Sequence, residues 1–152
     1  MEPQSKTSPT PHLSAPLRRA ESTSRHRILL IEDNADSAES MRLLLELAGH
    51  EVQVAHDGPA GLERARSFQP RYVVCDIGLP GPLSGYAVAQ SFRSDPALER
   101  TIMIALTGYG DSENQQRSLE AGFDAHVTKP VGYRDLMHLL DSLPARPERT
   151  ST

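Results

Sequence analysis

Five short apolar runs recur along the chain: RILLI (27–31), EVQVA (51–55), RYVVC (71–75), TIMIALT (101–107) and AHVT (125–128). Each is too short for a helix, and most are apolar nearly throughout, so the strands they form have no face to offer to water. The stretches between and after them read as helices. Residues 36–48 place Met41, Leu44, Leu45 and Ala48 on one side, with Asp36 and Glu39 spaced as a capping box and Gly49 as a stop. Residues 58–68 follow Asp57 as a cap, 84–93 form a third helix, and 112–121 open on Ser112 with Gln115 three later. The last helix runs from about Gly132 to Leu143, with Tyr133, Leu136, Leu139, Leu140 and Leu143 inward. Strands buried on both faces and alternating with helices predict an α/β class domain, a doubly wound five-stranded parallel sheet with five helices.

The alternation fills residues 27–143, the size of a single domain. Residues 1–26 are rich in Pro, Ser and Thr and poor in large apolar residues, so they cannot bury enough surface to offset ordering entropy; they read as a disordered tail and spacer, and 144–152 as a second tail. Charge divides the same way. Residues 28–143 carry nine basic and seventeen acidic groups, a net of −8, which argues against a nucleic-acid surface on the domain. The lone Cys75 permits no intramolecular disulfide and reads as a small core residue in a reducing compartment. No stretch approaches the roughly 18 apolar residues of a membrane span, and the N-terminus lacks a signal peptide's apolar core, so a cytoplasmic protein with no membrane partner is expected.

In a doubly wound sheet, chemistry is done beyond the carboxyl ends of the strands. The polar residues there are Glu32 and Asp33 after strand one, Asp76 after strand three, Thr107 closing strand four and Lys129 past strand five. Taken singly, such an acid is usually a turn former or a cap. Together they bring three carboxylates, a hydroxyl and an ammonium to one rim. Carboxylates about 5 Å apart repel by roughly 3 kcal/mol per pair at an effective dielectric of about 20, so the rim calls for a cation. Lys129 offsets one charge, and hard oxygen donors suit Mg2+ that keeps several waters. With a metal beside it, Asp76 on its rigid strand suits a nucleophile toward a phosphoryl group, and the Gly/Pro loop after it leaves space for a donor.

The stretches IEDN, DIGLPG, ALTGYG and HVTKP, in this order and at these spacings, resemble the blocks of response-regulator receiver domains, the phosphoacceptor modules of two-component signalling. The resemblance covers residues 27 to about 143 and implies a flavodoxin-like receiver topology. It implies that Asp76 is the phosphorylated aspartate, Asp33 a direct Mg2+ ligand, Glu32 a ligand through water and Gly78 a backbone-carbonyl ligand. It further implies that Thr107 is the switch hydroxyl, that Lys129 pairs with the phosphoryl group and that Pro130 follows a cis peptide bond. His126 stands where receivers usually carry a switch aromatic; a rotameric switch and a half-exposed strand residue are both open readings. The implied partners are a histidine kinase or histidine phosphotransfer protein as donor, and a downstream protein target read through helix 4, strand 5 and helix 5.

Two departures stand out. Gly85 lies nine residues past Asp76 where the usual pattern has eight, so the 81–85 loop carries one extra residue, and Tyr109 occupies a position that tunes loss of the phosphoryl group. An aspartyl phosphatase or phosphotransferase, the enzyme alternative, wants an acid where Gly78 stands. A flavodoxin-like nucleotide binder wants glycines where EDNADS offers acids. The remaining alternative is a phosphorylation-independent pseudo-receiver acting as a protein-interaction module. Nine residues follow the last helix, which predicts a stand-alone receiver that signals by protein contact; its style is similar to receivers of hybrid sensor kinases.

Overall fold

The computed structural model describes residues 25–108 and 112–143. Both tails and Tyr109 fall outside the described residues, apart from Arg25 and His26, as do the side chain and cap of Ser112. The elements in chain order are β1 (Arg27–Ile31), α1 (Ala35–Leu47), β2 (Glu51–Ala55), α2 (Gly58–Phe68) and β3 (Tyr72–Asp76). They continue with α3 (Gly85–Ser94), β4 (Ile102–Thr107), α4 (Ser112–Ala121), β5 (Ala125–Thr128) and α5 (Tyr133–Ser142). The strands form one parallel sheet in the order β2-β1-β3-β4-β5, the doubly wound architecture the apolar runs predict.

Alternation along each strand sends successive side chains to opposite faces and so builds two cores. Leu29, Ile31, Val73, Cys75, Met103 and Ala105 pack with Leu62, Ala65 and Phe68 of α2 and Val88 and Phe92 of α3. On the other face, Ile28, Leu30, Tyr72, Val74, Ile104 and Leu106 pack with Leu45 of α1 and Leu136 and Leu140 of α5. Burying Leu136 and Leu140 contributes on the order of 1.5–3 kcal/mol each and fixes α5 to the sheet.

Several local expectations are corrected. Helix α1 is capped by Asn34, whose side chain accepts the Ser37 N–H at 2.8 Å, because the strand ends early enough for the helix to start at Ala35; no Asp36–Glu39 capping box forms. Glu39 is instead engaged by Arg42. Leu44 is 37% exposed and Tyr133 43% exposed, so neither is core: they flank a groove between α1 and α5 that no other element among the described residues fills. Asp76 is the last residue of β3 rather than the residue beyond it. Helix α3 begins at Gly85 behind Ser84 as cap, and α5 begins after Gly132, which makes no side-chain cap bond. The Asp57 cap of α2 forms as predicted, accepting the Ala60 N–H at 2.8 Å.

Candidate functional site

Parallel register aligns the carboxyl ends of four strands, pairing Ile31 with Cys75, Asp76 with Leu106, and Thr107 with Thr128. Glu32 and Asp33 follow Ile31 directly, so both acids, Asp76, Thr107 and Lys129 arrive at one rim. The start of α3 seats closely behind Asp76: a Cβ on Gly85 would lie 2.5 Å from the Asp76 carbonyl oxygen, and the Gly85 N–H donates to the Ile77 carbonyl at 3.0 Å. Only glycine permits this approach, and it fixes the end of β3. Between them, Leu79 and Leu83 pack on the core while Gly81, at φ +87°, and Pro82 are exposed. The loop is therefore an outward bend between two core anchors.

The Asp76 carboxylate is held on both oxygens. Oδ1 accepts the Gly78 N–H at 2.9 Å, and Oδ2 accepts from Lys129 Nζ at 2.8 Å. Lys129 Nζ also lies 3.2 Å from Glu32 Oε1, and Glu32 Oε2 accepts the Asn34 N–H at 3.0 Å. The Lys129 N–H donates to the Thr107 carbonyl at 2.7 Å, and the Lys129–Pro130 bond is cis.

One carboxylate oxygen from each of Glu32, Asp33 and Asp76 lies within 4.8 Å of the other two. Three carboxylates against the single ammonium of Lys129 leave a net of −2 (1 − 3). Each carboxylate pair repels by about 3 kcal/mol at an effective dielectric of about 20. A divalent cation matches that deficit, and a set of oxygens alone fits Mg2+ better than a softer metal. Burial pushes the Glu32 carboxyl above its ordinary range, the Asn34 N–H opposes this, and the charge of Asp76 adds to it. For Lys129, burial works to lower the pKa, but the hydrogen bonds and charges of Asp76 and Glu32 prevail and raise it, so the ammonium is firmly charged.

Thr107 is buried, and its hydroxyl donates to the Val127 carbonyl of β5 at 3.5 Å, the long limit of a hydrogen bond. His126 is half-buried on β5 opposite Ala105, and Gly78 is exposed beside Asp76. Cys75 is fully buried, with its thiol pushed well up by burial, as a core residue should be. From the rim, a mainly apolar groove of about 720 Å³ runs between α1 and α5 from Glu32 and Lys129 past Met41, Leu44 and Tyr133.

Two residues at the rim escaped the sequence reading: Asn34, through its N–H to Glu32, and His56, whose Nδ1 lies 3.0 Å from the Glu32 carbonyl oxygen. The only trace of His56 in the sequence is that it directly follows the EVQVA strand.

The model of the family described as "Response regulator receiver domain" matches residues 28–141. The transcriptional regulatory protein AfsQ1 of Streptomyces coelicolor is 35% identical over 125 residues, 82% of this chain and 54% of that protein. A receiver domain protein from Methanospirillum hungatei matches structurally with TM-score 0.70 and 32% identity over 77% of this chain and 91% of its own. The receiver domain of the sensor histidine kinase PA1611 from Pseudomonas aeruginosa, with a magnesium ion coordinated in its active site cleft, matches with TM-score 0.70 and 26% identity over 77% and 95%. The chain spans about half the length of several curated relatives it matches, and 17% of the gliding motility regulatory protein of Myxococcus xanthus. No helix among the described residues is long and apolar enough to cross a membrane.

Proposed function

The chain belongs to the response regulator receiver domain family, and from that premise we propose that it is a phosphoacceptor switch in which Asp76 takes a phosphoryl group from a phosphohistidine. The observation that carries this reading is Asp76 itself: a carboxylate at the end of a buried strand, bonded to Lys129 Nζ at 2.8 Å and with an oxygen within 4.8 Å of one from each of Glu32 and Asp33. A carboxylate oxygen attacks phosphorus, the P–O bond forms as the P–N bond breaks, and the imidazole leaves with the bonding pair and takes a proton. The product is an acyl phosphate on Asp76. Asp33, Asp76, the Gly78 carbonyl and, through water, Glu32 would hold Mg2+, which would supply charge neutralisation for the phosphoryl oxygens.

The phosphoryl group adds about −1.5 to −2 charge units to the rim, and Lys129 turns from the carboxylate to the new oxygens. The Thr107 hydroxyl, only weakly held by Val127, turns to the same oxygens and leaves space beside β5 that His126 fills. Two charge-assisted hydrogen bonds contribute roughly 1.5–3 kcal/mol each, against the roughly 5.5 kcal/mol needed to move a population from 1:99 to 99:1. The surface of α4, β5 and α5 changes and is read by a downstream protein. The donor, a histidine kinase or phosphotransfer protein, approaches over the groove between α1 and α5, where Leu44 and Tyr133 are exposed.

The test is incubation with Mg2+ and acetyl phosphate, reading intact mass against Asp76→Asn. The expected result is a base-labile gain of one phosphoryl group that needs both Asp76 and Mg2+. No gain with acetyl phosphate and with a phosphohistidine donor, under trapping of short-lived product, would overturn the reading in favour of a phosphorylation-independent binding module.

A further inference from the structure

Asp33 differs from the other two acids of the rim. Glu32 and Asp76 are buried and bonded on both oxygens, whereas Asp33 is exposed, and among the described residues no hydrogen bond or ion pair reaches its carboxylate. Its position is set by the backbone on either side of it. The peptide after Asp33 is held through the Asn34 N–H, which donates to Glu32 Oε2 at 3.0 Å. The peptide before it is held through the Glu32 carbonyl, whose partner is His56 Nδ1 at 3.0 Å. The β1–β2 register ends at Ile31 and Ala55, and Glu32 N–H still donates to the Ala55 carbonyl at 3.0 Å; at the Glu32 carbonyl the donor is a side chain. A carbonyl accepts only, so Nδ1 carries the proton in this contact.

We propose that His56 is a positioning residue for metal binding: by clamping the Glu32–Asp33 peptide it aims the otherwise unsupported Asp33 carboxylate at the cation. The inference rests on the reading of the rim as a Mg2+ site and extends it to a residue 24 positions away, just past the end of the neighbouring strand β2. Groups that orient a metal's direct ligands typically account for about 10- to 100-fold in affinity. His56 acts through one backbone group on one of several ligands, so its share lies at the low end, about tenfold.

Three proteins separate the outcomes, titrated with Mg2+ by calorimetry at pH 8: wild type, His56→Phe and His56→Asn. Phenylalanine keeps a ring and loses the donor, while the asparagine amide places an N–H where Nδ1 stood. His56 is exposed, so neither change disturbs the core, and thermal melting of the metal-free proteins checks this. The expected result is a Mg2+ Kd about tenfold weaker in His56→Phe, restored to within about twofold in His56→Asn, with melting temperatures alike. Equal affinity in wild type and His56→Phe, or a loss in both variants, overturns the positioning role and leaves the metal site standing. A wild type that does not bind Mg2+ overturns the positioning role and the metal site together.

Discussion

The two ends of the same sheet handle charge in opposite ways. At the amino end, Arg93 spans α3, the start of β4 and the turn before β5. It donates to the carbonyls of Gly122 at 2.9 Å, Glu99 at 2.8 Å and Thr101 at 2.7 Å, and to Asp124 Oδ2 at 2.9 Å. Asp124 Oδ2 also accepts the Met103 N–H at 2.8 Å. Cation and anion match, and protein groups satisfy both. At the carboxyl end three carboxylates share one ammonium, and Asp33 has no partner among the described residues. A balanced network holds the fold together. An unbalanced one on the same scaffold keeps its deficit for something that arrives from outside.

Deleting the balanced network should have the largest effect. Arg93→Ala leaves Asp124 and three carbonyls without their cation in a setting where both side chains are under one-fifth exposed. The expected loss is about 3 kcal/mol, in the range for breaking a buried ion pair by removing one partner. Urea denaturation measures it, and the variant's folded fraction should bind Mg2+ with unchanged affinity. A loss under about 1 kcal/mol, or a weakened Mg2+ site, would erase the distinction between the two ends.

Deleting a charge from the unbalanced end should do the reverse. Asp33→Asn removes one of the repelling carboxylates without removing a hydrogen bond to any described residue, so the metal-free protein should become more stable, by up to about 1 kcal/mol given the exposure of Asp33. Magnesium supplies the second half of the test. At about ten times its Kd it should stabilise the wild type by about 1.4 kcal/mol and the variant far less. Denaturation with and without Mg2+ gives both numbers. A variant less stable than wild type without metal would show that the acids are not in mutual repulsion.

The rim acids were legible because each directly ends or follows an apolar run, and a parallel sheet brings strand ends together without further information. What escaped depends on contacts between distant segments. Asn34, Asp36 and Ser37 all suit a helix cap; the choice falls on Asn34 because Glu32 draws in its N–H, a side-chain contact that no spacing rule encodes. Leu44 and Tyr133 sit at core spacing on their helices, yet α1 and α5 leave a groove open between them. His56 and Arg93 are isolated polar residues in polar surroundings of sequence, and their partners lie 24 to 31 positions away or at turn carbonyls.

Acid should separate the two ends by sign. At the amino end, His50 is buried, its Nδ1 accepts the His26 N–H at 3.1 Å, and the two rings stack with centroids 5.6 Å apart. The Tyr72 ring meets His26 edge-on, and its hydroxyl donates to the Leu140 carbonyl of α5. Burial lowers the pKa of both imidazoles; the neighbouring charge of Arg71 adds to this for His26 and that of His26 for His50, while Asp141 opposes it for both. A proton on His50 Nδ1 would also cost the bond from His26. The unfolded chain therefore takes up protons near pH 6.5 that the folded chain refuses, so stability is full above that value and falls as the pH drops through it. Glu32 works the other way. Its raised pKa lets the folded chain take up a proton before the unfolded chain does, so the carboxyl end gains stability on acidification, in a lower window. His50→Asn isolates the first effect, since its side-chain oxygen can accept the His26 N–H without titrating. Between pH 7.5 and about 5.5 the wild type should lose more stability than His50→Asn, by less than either charge deletion changes it. Equal slopes in the two proteins would mean that the amino end carries no acid sensitivity of its own.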